Sequence, residues 1–175
     1  PKVIFTTLGF YTVTLTATNT HGSDAEVKTN YIEVTAAPSG PCASTSTQTC
    51  TSVDEFISNV VFNTISNNTG CGNYTNYPSA STTVTKGQTY ALTITPAVGT
   101  TEGNAYTNDE IAAWIDWNDD SDFADAGEQV AYVLVASGWS NVFNVTVPAT
   151  AVTGSVAMRV KMSYQPDDGA ITACG

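Results

Sequence analysis

Ile111-Ala112-Ala113-Trp114-Ile115-Asp116-Trp117-Asn118-Asp119-Asp120-Ser121-Asp122-Phe123-Ala124-Asp125-Ala126-Gly127-Glu128-Gln129-Val130-Ala131-Tyr132-Val133-Leu134-Val135 is the stretch that decides the fold. Its two ends are short runs rich in β-branched and aromatic residues, and they read as strands. Between them, six acidic residues and one Asn fall within thirteen positions, in a chain of which 12% is charged. Carboxylates packed this closely repel one another unless a cation sits between them. The spacing Asp116, Asn118, Asp120, Asp122 suits a hard ion such as Ca2+, which takes about six to eight oxygens. It copies the D-x-N-x-D start of an EF-hand loop and then departs from it. Ser121 stands where that loop needs Gly, the far carboxylate Glu128 comes one position late, and the flanks are not helices. The reading is therefore a calcium-type loop between two strands, with Asp116, Asn118, Asp120, Asp122, Asp125 and Glu128 as candidate ligands. The alternative is a solvated acidic hairpin loop that holds no ion.

Composition narrows the class. At 175 residues the chain holds one domain or one and a fraction, and 42% hydrophobic content is enough for a packed core. No apolar run approaches the roughly 18 residues that a membrane helix needs. Sixteen acids against five bases give a net charge of −11. That argues against nucleic acid and anionic membrane as partners, since both need a basic footprint. Residue 1 opens directly into strand-like sequence, so any targeting segment is expected to have been removed or to lie outside the chain. Four cysteines among Thr-, Ser- and Asn-rich sequence point to an oxidising, extracellular setting and to structural disulfides, for which three pairings are possible.

From residue 1 to 36 the chain is strand material. Tyr11, Val13, Leu15 and Ala17 alternate with threonines, which predicts a half-buried strand. Asn19 to Asp24 supply a turn, and Tyr31 to Val34 resume a strand. The run Gly9-Phe10-Tyr11-Thr12-Val13-Thr14-Leu15-Thr16-Ala17-Thr18-Asn19 followed by Gly22-Ser23-Asp24 resembles the closing strands of a PKD (polycystic kidney disease) domain, an immunoglobulin-like sandwich. Only about three of its strands would be present, so the chain is expected to begin mid-domain and to pair with strands not in it. Residues 37–41, within a small-residue run with two prolines, predict a linker.

Residues 42–175 predict an all-β, antiparallel sandwich of jelly-roll-like or immunoglobulin-like type, with about eight short strands. Val53, Phe56, Ile57 and Val60 fit helical spacing, but β-branched content favours a strand there. Strands are further expected over Thr82–Val84, around Tyr90, Leu92 and Ile94, on both sides of the acidic loop, through Phe143, Val145 and Val147, and from Val156 to Met162. Trp114 is expected in the core with Ala113 and Ile115, and Trp117 over the loop. This part resembles the GEVED domain of secreted bacterial proteins. The matching pieces are Phe56-Ile57-Ser58-Asn59-Val60, Ile65 to Gly70, Tyr74 to Tyr77, Lys86 to Tyr90, Trp114-Ile115-Asp116-Trp117-Asn118, Gly127-Glu128, Val147-Pro148 and Met158-Arg159-Val160. The chain stops at Ala173-Cys174-Gly175, where the family's Gly-Glu-Val-Glu-Asp signature is expected to begin, so a last strand is expected to lie beyond it. The resemblance implies a non-catalytic accessory domain found beside proteases, other hydrolases and adhesin-like repeats. It also implies that Cys42 pairs with Cys174, leaving Cys50 with Cys71.

Catalysis finds no foothold. A Ser or Cys nucleophile needs a positioned base, and the one histidine, His21, lies in a predicted turn. There is no H-E-x-x-H, no G-x-S-x-G and no phosphate-cradling glycine loop. The carboxylates of 116–128 resemble a glycosidase pair only in number, because carboxylates engaged with calcium stay ionised and cannot act as general acids. Binding is better supported. Trp139, in a predicted turn, and Tyr106, beside Asn104 and Asn108, are candidate sugar platforms, with Tyr74 and Tyr77 as a further group. The expectation is a calcium-stabilised extracellular or cell-surface accessory module, adhesive or spacing in role, whose partners are polysaccharide, extracellular protein or neighbouring domains of the same polypeptide. The alternatives are a carbohydrate-binding module attached to a secreted hydrolase and an appendage of a secreted metalloprotease.

Overall fold

The structure is a computed structural model that describes residues 5, 7–34, 42–44, 55–72, 74–99, 101–102, 109–134, 138–164 and 171–174. The expected linker at 37–41 lies outside these residues. The chain divides into two compact units, Pro1–Ser39 and Gly40–Gly175. Both are built of antiparallel strands, and no helix occurs among the described residues.

The first unit is a hairpin of β1 (Gly9–Asn19) and β2 (Gly22–Val34), with a register shift between Tyr11 and Val13. Its turn is held in part by the Asn19 side chain, whose Oδ1 accepts the His21 N–H at 2.7 Å. The half-buried strand predicted here is corrected: Val13 and Leu15 are exposed, Leu15 by 71%. Alternation supplies an apolar face, but the described residues of this two-stranded ribbon include no second layer to cover it. Two described strands stand where about three were expected.

Among the described residues of the second unit there are eight strands: β3 (Glu55–Phe62), β4 (Ile65–Asn68), β5 (Thr89–Val98), β6 (Thr101–Glu102), β7 (Asp109–Ile115), β8 (Gln129–Val133), β9 (Asn141–Thr146) and β10 (Met158–Tyr164). One sheet runs β4-β3-β5, with β9 and β6 along the far edge of β5; the other runs β10-β7-β8. Their inner faces form the core from Val60, Phe62, Leu92, Ile94, Ile111, Ala113, Ile115 and Val145, all under 8% exposed. The predicted strand at Thr82–Val84 is not one. That segment is held by side chains rather than by a ladder: Asn63 Nδ2 donates to Thr82 Oγ1 at 3.0 Å and to the Thr83 carbonyl at 2.8 Å.

β7 is buried at all seven positions. A strand with one face on the core buries only alternate residues, so something must cover its other face. The cover is a second cluster, in which Ala112 and Trp114 pack with Phe123 from the acidic loop, Ala173, Cys42, Ala157 and Ile171. Trp114 is therefore buried as expected, but on the opposite face from Ala113 and Ile115. Trp117 likewise packs into the main core instead of capping the loop.

Candidate functional site: the acidic connection between β7 and β8

The loop from Asp116 to Glu128 sorts its acids into two shells. Asp116 and Glu128 are 1% and 2% exposed, and each spends both carboxylate oxygens on the loop's own backbone. Asp116 accepts the N–H of Asp120 at 3.2 Å and of Ser121 at 3.0 Å. Glu128 accepts the N–H of Trp117 at 3.1 Å and of Asp125 at 3.1 Å. These bonds satisfy backbone donors that no strand ladder reaches. Asp119 and Ser121 adopt φ of 58° and 72°, the left-handed region, and this curls the chain around the Asp116 carboxylate. Ser121 thus takes the conformation for which an EF-hand loop uses glycine.

The outer shell is exposed. Asp120, Asp122 and Asp125 each place a carboxylate oxygen so that the three atoms lie within 4.8 Å of one another. The Asn118 amide joins them, donating to Asp120 Oδ2 at 2.9 Å and to Asp125 Oδ2 at 2.6 Å. Local Asx bonds hold the same side chains, with Asp122 N donating to Asp120 Oδ1 at 3.2 Å and Ala124 N to Asp122 Oδ1 at 2.8 Å. Burial raises the Glu128 carboxyl above its usual range; the two N–H bonds pull against that, while the Asp116 and Asp125 charges add to it. The donor set is entirely oxygen, which fits Ca2+ and Mg2+ rather than a thiophilic metal. All six predicted ligand residues surround one loop, with four at its mouth and two beneath it.

Cys42 and Cys174 form a disulfide with Cα atoms 5.5 Å apart across 132 residues of sequence. Cys71 is also disulfide-bonded, and Cys50, its expected partner, lies outside the described residues. Tyr106 lies outside them too. Trp139 is 65% exposed, in the segment leading into β9.

Two groups escaped sequence reasoning. Arg159, buried in β10, donates to the Ala173 carbonyl at 2.7 Å, and its guanidinium lies 5.0 Å from the Phe123 ring and 5.7 Å from the Tyr74 ring. The signal was parity, since Met158, Val160 and Met162 face the core and Arg159 must face the other way. Asp109, 2% exposed, meets Glu55 across the two sheets. Burial, then the Glu55 charge and a hydrogen bond with it, push the Asp109 carboxyl up to about 7. Nothing in the local sequence pairs residues that distant.

The fold and this site define an antiparallel β-sandwich module carrying an acidic strand connection. A family model, the GEVED domain, an accessory-domain family, matches residues 110–175, which contain β8, β9, β10, almost all of β7 and the whole acidic loop. Neither curated proteins nor solved structures provide a match to the chain.

Proposed function

We propose that this chain is a non-catalytic, calcium-stabilised extracellular module that serves as an adhesive or spacing element in a larger secreted or surface-attached protein. The observation that carries the reading is the gathering of Asp120, Asp122 and Asp125 within 4.8 Å at the mouth of a loop already stapled by Asp116 and Glu128. Three exposed carboxylates drawn together repel one another, and a divalent ion reverses the sign of that interaction. Asp120, Asp122 and Asp125 would hold the ion. Asn118, whose amide NH2 now bridges two of them, would join as a ligand by turning its amide oxygen inward, with Asp116 and Glu128 beneath. The ion supplies charge neutralisation and cross-linking, not chemistry. The N-terminal hairpin belongs to the same reading as the closing strands of a PKD-like domain, and the GEVED match over 110–175 supports an accessory role. Scanning calorimetry of the chain with calcium and with EDTA is the test. A melting temperature that rises with calcium, and ceases to do so in Asp122→Asn/Asp125→Asn, supports the reading; one that is unchanged by EDTA removes calcium from it.

The exposed Trp139 favours a second reading, a module that binds neutral polysaccharide through an aromatic platform. A glycan array with the chain and with Trp139→Ala separates the two. Binding that the substitution abolishes would favour the polysaccharide reading, and silence at millimolar glycan would reject it.

A further inference from the structure

Phe123 sits in the acidic loop, immediately after Asp122 and two residues before Asp125, yet its ring is 6% exposed and turned away from the loop mouth into the cluster on the outer face of β7. What it meets there is Arg159, whose guanidinium carbon lies 5.0 Å from the ring centroid. Arg159 is itself 6% exposed, with Tyr74 at 5.7 Å as a second ring. Its Nη1 reaches the Ala173 carbonyl at 2.7 Å and Cys42 Sγ at 3.4 Å, the latter being half of the Cys42–Cys174 disulfide. A buried guanidinium must replace its lost hydration, and aromatic faces and a carbonyl do so here. The same side chain therefore fixes the loop segment bearing Asp122 and Asp125 to the closing disulfide.

We propose that Arg159 is a positioning residue for the cation site: by holding Phe123 it sets where Asp122 and Asp125 present their oxygens, and it joins that loop to the Cys42–Cys174 crosslink. The inference rests on the calcium reading above. Groups that orient ligands without touching the metal govern affinity because a loop that must be ordered on binding loses part of its binding free energy to that ordering. Simple electrostatics makes the opposite forecast. Arg159 carries a positive charge near an acidic loop, so removing it deepens the negative potential and tightens cation binding. The sign of the change thus separates positioning from charge.

Titration calorimetry with CaCl2 on the full chain, together with circular dichroism to show that each variant is folded, tests this. Arg159→Gln and Phe123→Leu should each weaken calcium binding by about tenfold, the range found for groups that orient metal ligands. Lys86→Gln, which removes a charge from an exposed turn, should leave affinity unchanged. Unchanged or tighter binding by Arg159→Gln overturns the proposal; if that variant does not fold, the affinity of Phe123→Leu decides alone. Wild-type chain that gives no calcium heat overturns the calcium reading itself, and the positioning role falls with it.

Discussion

Glu128 Oε1 accepts the backbone N–H of Trp117 at 3.1 Å, eleven residues earlier in the chain, while its other oxygen accepts that of Asp125. One carboxylate, 2% exposed, thereby ties the entry of the acidic loop to its exit. Glu128→Ala would leave two backbone donors unpaired, and an orphaned buried donor costs about 1–3 kcal/mol. Because the Trp117 N–H is buried and the Asp125 N–H only partly so, the variant is expected to lose about 1–3 kcal/mol of unfolding free energy. Glu128→Gln, which keeps one carbonyl acceptor, should fall between it and wild type. Urea unfolding in EDTA measures both without interference from bound metal.

Ser121 holds φ at 72°, in the left-handed region that costs a residue with a Cβ about 1–2 kcal/mol. Ser121→Gly removes that cost, and the greater freedom of glycine in the unfolded chain offsets part of the gain. The net expectation is a stabilisation of about 0.5–1 kcal/mol, read from the same urea curves. A destabilised glycine variant would show that the Ser121 side chain contributes more than its backbone strain costs.

Asp109 gives the second unit a pH dependence of definite sign. Its carboxyl titrates near 7 when folded and near 3.8 when unfolded, so between those values the folded state binds the extra proton. Stability then falls as pH rises from about 4 to about 7 and levels off above. Glu128, whose carboxyl is also raised, adds to the same slope. Asp109→Asn should flatten the profile of unfolding midpoint against pH, measured in EDTA. A profile equally steep in the variant would assign the slope to the remaining carboxylates.

The Cys42–Cys174 disulfide closes a span of 132 residues. Chain-entropy reasoning gives about 4–5 kcal/mol for a loop of that length, and measured values are commonly about 2–4 kcal/mol. Cys42→Ser/Cys174→Ser should lower stability by an amount in that lower range. Denaturant unfolding under non-reducing conditions checks it, and because the crosslink constrains the unfolded state, the m-value should rise as well.

Much of the architecture was legible from alternation and turns. Tyr90, Leu92 and Ile94 line one face of β5, and Leu92 and Ile94 are fully buried. Phe56, Ile57 and Val60 proved to lie on a strand despite their helical spacing, because residues 55–62 pair with β5 along nearly their whole length. Thr82–Val84 misled for a related reason: threonine and valine favour extended backbone, but a strand also needs a neighbour with free ladder groups. The N-terminal hairpin shows the same limit from the other side, since period two names an apolar face without saying what covers it.

The acidic loop divides along the same line. Sequence alone determined that oxygen-bearing side chains, among them the six proposed as ligands, crowd one strand connection, because density and spacing are local properties. Tertiary structure decided which of the six face inward. Asp116 and Glu128 turn to buried backbone donors, and Asp120, Asp122 and Asp125 remain at the mouth, because the loop closes over its own N–H groups. It also decided that Trp114 and Phe123 pack on the outer face of β7 with Arg159 beside them. That outcome depends on Ala173 and the Cys42–Cys174 crosslink arriving from far along the chain. Covering the second face of a strand is a long-range event, and no window of neighbouring residues contains it.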